Sequence, residues 1–108
     1  MSSVQDIVQQ HISSHDVMVF SKTYCPYCNT AKKVLKDMVA ALGVSVDIFV
    51  IELDVEADGA AMQAALAELT GQRTVPNIFI KGKHVGGCDD VLKLQADTTR
   101  QKQLFGLA

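Results

Sequence analysis

The amino-acid sequence predicts an α/β fold, a four-stranded mixed β-sheet with helices on both of its faces. Three observations point there. Val17-Met18-Val19-Phe20 is a short apolar, β-branched and aromatic run that leads into a long helix-periodic stretch. Asp47 to Leu53 is a second such run after that helix, so the two strands should lie parallel in a right-handed βαβ unit. Asn77 to Ile80 and His84-Val85 flank Lys81-Gly82-Lys83, a short turn that makes an antiparallel hairpin. The element order is then αβαβαββαα, and 108 residues suit one domain, 1–108, with a single core.

Each element has a local reason. Val4, Ile7, Val8 and Ile12 form one face of a first helix, with Ser2 or Ser3 as its N-cap. Polar Ser14-His15-Asp16 precede the first strand. Ala31, Val34, Leu35, Met38 and Leu42 recur at three- and four-residue spacing, and Gly43 closes that helix. Gly59 to Thr70 is Ala-rich, with Met62, Leu66 and Leu69 as its apolar stripe, Asp58 as its cap and Gly71 as its stop. Gly86-Gly87 breaks the last strand, Asp89-Asp90 opens a helix carrying Val91 and Leu94, and a final short helix holds Leu104 and Phe105. His11 and His15 read as solvated positions on or near the first helix, and His84 as a strand surface residue.

Composition excludes several classes. Hydrophobic content of 48% and charged content of 20% are those of an ordinary globular protein, and a net charge of −2 argues for neither nucleic acid nor membrane as partner. No apolar run approaches the roughly 18 residues of a membrane span. Met1-Ser2-Ser3-Val4-Gln5-Asp6 has the character of neither a secretory signal nor an Arg-rich transit peptide. Three cysteines in a chain that needs no staples fit a reducing compartment, and the expected location is cytoplasmic.

The chemistry concentrates in Ser21-Lys22-Thr23-Tyr24-Cys25-Pro26-Tyr27-Cys28. Cys25 falls where a strand turns into a helix, and Pro26 takes the first helical position, where its missing N–H is no loss. The helix start and Lys22 both favour a thiolate at Cys25, which raises its nucleophilicity and its quality as a leaving group. Cys28 lies one turn on, within reach of a disulfide and on the apolar side with Ala31 and Leu35. The pattern is that of an attacking and a resolving thiol. A Cys-x-x-Cys pair alone also suits zinc sites and static disulfides; the strand–Cys-Pro-Tyr-Cys–helix context favours redox chemistry.

Lys22 to Cys28, Arg73-Thr74-Val75-Pro76 and Gly86-Gly87-Cys88-Asp89-Asp90, in that order, resemble the dithiol glutaredoxins, members of the thioredoxin-like superfamily, over about Val4 to Leu104. Thioredoxins share that fold but have a Trp-Cys-Gly-Pro-Cys site, and this chain has no Trp. The resemblance implies a glutathione-dependent thiol–disulfide oxidoreductase that reduces protein–glutathione mixed disulfides and protein disulfides through nucleophilic Cys25 and resolving Cys28. Glutathione would be reductant and co-substrate, with glutathione reductase an indirect partner, no metal, and a monomeric chain.

The resemblance also implies a site. The Val75–Pro76 bond would be cis beside the cysteines, leaving the Val75 N–H and C=O to pair with the cysteinyl unit as an added strand. Thr74 belongs to the same segment. Gly87 lets the backbone approach a ligand, and the γ-glutamyl carboxylate would rest on the N–H groups of Cys88 and Asp89. The Asp89 carboxylate, with Asp90, would meet the α-amino group. Lys22, Gln63 and Arg73 would serve the glycyl carboxylate, with Tyr27 packing beside the mixed disulfide. Lys32, Lys33 and Lys36 read as the solvated face of the active-site helix, and the Cys88 thiol as inert rather than glutathionylated or bridging two chains. Two alternatives differ in class: a structural zinc site from Cys25, Cys28, His84 and Cys88, and a glutathione-ligated [2Fe–2S] carrier.

Overall fold

The computed structural model describes residues 3–107. In chain order these form α1 (Val4–Ser14), β1 (Val17–Ser21), α2 (Pro26–Leu42), β2 (Ile48–Glu52), α3 (Gly59–Thr70), β3 (Asn77–Ile80), β4 (Lys83–Gly86), α4 (Cys88–Gln95) and α5 (Thr98–Leu104). The sheet order is β2-β1-β3-β4; β1 and β2 run parallel, and the β1–β3 and β3–β4 pairs are antiparallel. This is the mixed four-stranded sheet expected.

Strand alternation builds two cores. Val17 and Val19 of β1, with Ile78 and Ile80 of β3, face α2, α4 and α5 through Ala31, Leu35, Val91 and Leu104. Met18, Phe20 and Phe79 point to the opposite face, where α1 and α3 bury Val8, Ile12, Met62 and Leu66. Every residue of β1 is buried, as is every residue of its neighbour β3, so the strand that delivers the chain to Cys25 is firmly held at the centre of the sheet.

Several boundaries move for physical reasons. Ser3 caps α1, its side chain accepting from the Asp6 N–H; Ser2 lies outside the described residues. Asp47 stays out of β2 because its carboxylate accepts from the Asp16 N–H at 2.9 Å and bonds His15 Nδ1 at 2.6 Å. That pairing corrects the reading of His11 and His15 as solvated. Both are half-buried and stack with Phe49, His15 and Phe49 at a centroid distance of 4.1 Å.

Leu69 leaves the expected stripe and is 45% exposed, because α3 turns Met62, Ala65 and Leu66 inward instead. Asp58 stands at the N-cap of α3 without a side-chain capping bond. Gly59 follows it because an added Cβ would lie 1.7 Å from the Leu53 carbonyl oxygen. The hairpin turn is two residues, Lys81 and Gly82, both at positive φ, so β4 begins at Lys83. Helix α4 begins one residue before Asp89, at Cys88, and Phe105 is the C-cap of α5 rather than part of it. Lys32 is not solvated: it is half-buried against Glu52 at 3.3 Å.

Candidate active site at the starts of α2 and α4

Cys25 is the N-cap of α2, in extended backbone, with Pro26 at the first helical position. The chain reaches it through a tight turn, in which the Cys25 N–H donates to the Lys22 carbonyl at 3.1 Å. Thr23, inside that turn, is held by Asp54: its N–H donates to Oδ1 at 3.0 Å and its hydroxyl to Oδ2. These bonds, the hydroxyl's first, hold the Asp54 carboxyl below the usual carboxylate range.

The two thiols are unlike. Cys25 is half-buried, and its Sγ accepts from the Cys28 N–H at 3.3 Å, a helix donor that has no backbone partner within α2. Cys28 is fully buried; burial first, then its hydrogen bond with Cys25, push its thiol up from 9.0. Both thiols are free, as is that of Cys88.

Cys25 Sγ lies 3.9 Å from the Val75 carbonyl oxygen, and the Val75–Pro76 bond is cis. From there an open cleft of about 410 Å³ extends to the start of α4. Tyr27, Thr74, Val75, Pro76, Gly87, Cys88, Asp89 and Asp90 line it, all residues that the sequence singled out. One further lining residue, Gln72, was missed. Its Nε2 donates to the carbonyls of Thr74 at 3.1 Å and Pro76 at 2.9 Å. The only signal in the sequence was adjacency to Thr74-Val75-Pro76.

The two aspartates divide. Asp90 Oδ2 accepts from the Gly87 N–H at 2.9 Å, so its carboxylate closes the first turn of α4. Gly86 sits at φ +126°, and a Cβ there would stand 2.2 Å from that oxygen, which explains the glycine. Asp89 is exposed, and no hydrogen bond to its side chain occurs among the described residues. Cys88 is 8% exposed, and burial, then the charges of Asp89 and Cys25, push its thiol up.

Lys22, Gln63 and Arg73 do not line the cleft. Lys22 is half-buried on the Asp54 side of the turn, and Gln63 spends its amide N–H on the Arg73 carbonyl at 2.8 Å. His84 is an exposed strand residue, as expected, with its Nε2 on Asn77 Oδ1 at 2.8 Å. Among the described residues no three His, Cys, Asp or Glu side chains gather as a metal-holding group. What remains is a reactive sulfur at one helix start, a strand-like segment against it, and a second helix start with free N–H groups across a peptide-sized cleft.

A family model described as "Glutaredoxin" matches residues 17–85. The chain is 45% identical over 107 residues to "Glutaredoxin-1" of Rhizophagus irregularis, covering 99% of this chain and 100% of that protein. It is 49% identical over 89 residues to "Glutaredoxin-C4, chloroplastic" of rice, covering 82% of this chain but 62% of that one. Its structure is similar to that of a buckwheat glutaredoxin–glutathione complex, with a TM-score of 0.84, 44% identity, and 96% and 89% of the two chains covered.

Proposed function

This chain belongs to the glutaredoxin family, whose members are glutathione-dependent thiol–disulfide oxidoreductases, and we propose that it reduces protein–glutathione mixed disulfides by a monothiol route and protein disulfides by a dithiol route. One observation carries the reading: Cys25 Sγ accepts from the Cys28 N–H and lies 3.9 Å from the carbonyl oxygen of Val75, a residue that lines the cleft.

In the monothiol route the Cys25 thiolate attacks the glutathionyl sulfur of the substrate. A Cys25–glutathione disulfide forms as the old S–S bond breaks, and the substrate thiolate leaves and takes a proton from water. A second glutathione thiolate then attacks that disulfide. Glutathione disulfide departs, and Cys25 is again a thiolate. In the dithiol route Cys25 first bonds one sulfur of a protein disulfide. Cys28 must then lose its proton and attack Cys25, releasing the reduced protein, and two glutathiones later reduce the Cys25–Cys28 bond. A raised Cys28 thiol keeps this sulfur protonated until that step is engaged.

The cleft supplies the recognition. The Val75 N–H and C=O pair with the cysteinyl unit as one added strand, with Thr74 and Pro76 beside it. The γ-glutamyl carboxylate takes the N–H groups of Cys88 and Asp89 beside Gly87, and the free Asp89 carboxylate takes the α-ammonium group. Tyr27 packs along the mixed disulfide. Lys22, Arg73 and Gln63 serve the glycyl carboxylate from outside the cleft wall, Gln63 through Arg73. The buckwheat glutathione complex supports the ligand, and three cysteines in a chain that needs no staples support a reducing compartment, for which we propose the cytoplasm.

A coupled assay with glutathione, glutathione reductase and NADPH on a small mixed disulfide tests the reading. Steady turnover that needs glutathione is the expected result; turnover with any small thiol at equal rate would overturn it. After anaerobic purification a featureless visible spectrum is expected, whereas cluster absorption bands would favour the [2Fe–2S] carrier.

A further inference from the structure

We propose that Gln72 is a positioning residue that makes the site selective for a glutathionyl group: its carboxamide holds the Val75 segment from both sides, beside the start of α4. The inference rests on the reading above, in which Val75 pairs with the cysteinyl unit of glutathione.

Gln72 Nε2 has two hydrogens and two acceptors, the Thr74 carbonyl at 3.1 Å and the Pro76 carbonyl at 2.9 Å. Those carbonyls flank Val75 on both sides. The Thr74 carbonyl shares its peptide plane with the Val75 N–H, and the Pro76 carbonyl lies one peptide beyond the Val75 C=O, so the two bonds fix the Val75 N–H directly and hold the chain on the far side of the Val75–Pro76 bond. The same amide stands at the seam between the two halves of the cleft. A Cβ added to Gly87 would lie 3.8 Å from Gln72 Nε2 and 3.5 Å from the Pro76 carbonyl oxygen.

Gln72 is itself anchored from below. Its N–H donates to Thr70 Oγ1 at 3.0 Å, and that hydroxyl donates to the Leu66 carbonyl at 2.8 Å. Asn77, 1% exposed, donates from Nδ2 to the same hydroxyl at 3.4 Å, and its Oδ1 bonds His84 Nε2 at 2.8 Å. These partners fix every role: Thr70 Oγ1 accepts twice, so Asn77 must present its oxygen to His84, and His84 must donate. A polar chain centred on buried Asn77 thus runs from β4 through β3 to α3 and ends in the Gln72 backbone N–H. A general scaffold would be satisfied by bonding either carbonyl; bonding both sides of one residue serves that residue's backbone.

The test compares single-turnover reduction, by reduced protein, of one peptide carrying two mixed disulfides in turn, with glutathione and with 2-mercaptoethanol. Wild type should strongly prefer the glutathionyl peptide. Gln72→Met keeps length but removes both donors, and Gln72→Glu puts a charge against the two carbonyls. Each should lose roughly tenfold of that preference, between the effects of one and of two lost hydrogen bonds, through half-saturation rather than through the maximal rate. Alkylation of Cys25 by iodoacetamide, which needs no cleft, should change less than twofold (a looser fold would raise it at every site). Full preference retained in both variants, with preference intact in wild type, overturns the role of Gln72 alone. No preference in wild type overturns the glutathione reading and this inference together. If Gln72→Met does not fold, the nearly isosteric Gln72→Glu carries the comparison.

Discussion

At the start of α2 the protein fills its own first turn with sulfur: the Cys28 N–H donates to Cys25 Sγ, and Cys25 is half-buried at the cleft. At the start of α4 a cysteine occupies almost the same place, and the outcome is inverted. Cys88 turns into the core, and the turn is closed by the Asp90 carboxylate on the Gly87 N–H. The difference is one residue of phase. Cys25 is the N-cap, in extended backbone, so its side chain folds back over the helix end. Cys88 is the first helical residue, and its side chain follows the helix into the packing with Val91 and Leu94. Two helix starts of similar composition thus give one sulfur that can react and one set of N–H groups left for an external anion.

The largest expected effect breaks the α2 side. Cys25→Ser should reduce both activities to background, because serine is not ionised at neutral pH, yet serine is a good N-cap, so stability should stay within about 1 kcal/mol. Cys28→Ser should keep mixed-disulfide turnover, or raise it by removing the Cys25–Cys28 side product, while protein-disulfide reduction falls sharply. It should also lose about 1–3 kcal/mol in urea unfolding, since a hydroxyl replaces a fully buried thiol. Equal loss of both activities and of stability in the two variants would instead mark a structural pair.

The α4 side sharpens next. Asp89→Ala should raise the half-saturating glutathione concentration by about 1.5–3 kcal/mol of binding, the range for a hydrogen bond to a charged group, with unfolding unchanged. Asp90→Ala should do the reverse in emphasis, costing about 0.5–2 kcal/mol of stability as a lost cap. If the two aspartates prove interchangeable in both measurements, the division between ligand-facing and capping carboxylates is wrong.

Much of this was legible in the residues, and what was not has a common cause. Hydrophobic period and helix punctuation placed every element, because β1 and α2 obey local rules: Pro26 at the first position, Gly43 and Gly71 at left-handed stops. Spacing found both cysteines and both glycines of the α4 turn. It could not divide Asp89 from Asp90, since which carboxylate turns back on Gly87 is decided by helix phase. Gln72, Asp54 and the contacts of His15 with Asp47 and Phe49 were invisible because each is made through a loop or between elements distant in sequence, and no period records those. Leu69 misled because spacing places a residue on a stripe but not against a neighbour, and Leu69 is left 45% exposed.

The smallest expected effect is a dependence on alkaline pH, and it tests the burial of Cys88 directly. Burial, then the Asp89 and Cys25 charges, raise this thiol above its ordinary value of 9.0. The folded chain therefore holds the proton more tightly than the unfolded chain does. The resulting stability is complete below the unfolded thiol's pKa and is lost as pH rises through the folded value. Urea midpoints measured under a reductant at pH 7.5 and pH 10 should fall for wild type. Cys88→Ala should fall less, whatever its stability at pH 7.5, because that group no longer titrates; Cys28, raised in the same direction, keeps part of the slope in both. Asp89→Ala should lie between them, since it removes one of the charges that oppose a thiolate at Cys88. Identical slopes in all three proteins would mean that Cys88 opens to water at the start of α4, and that the contrast between the two helix starts is not one of burial.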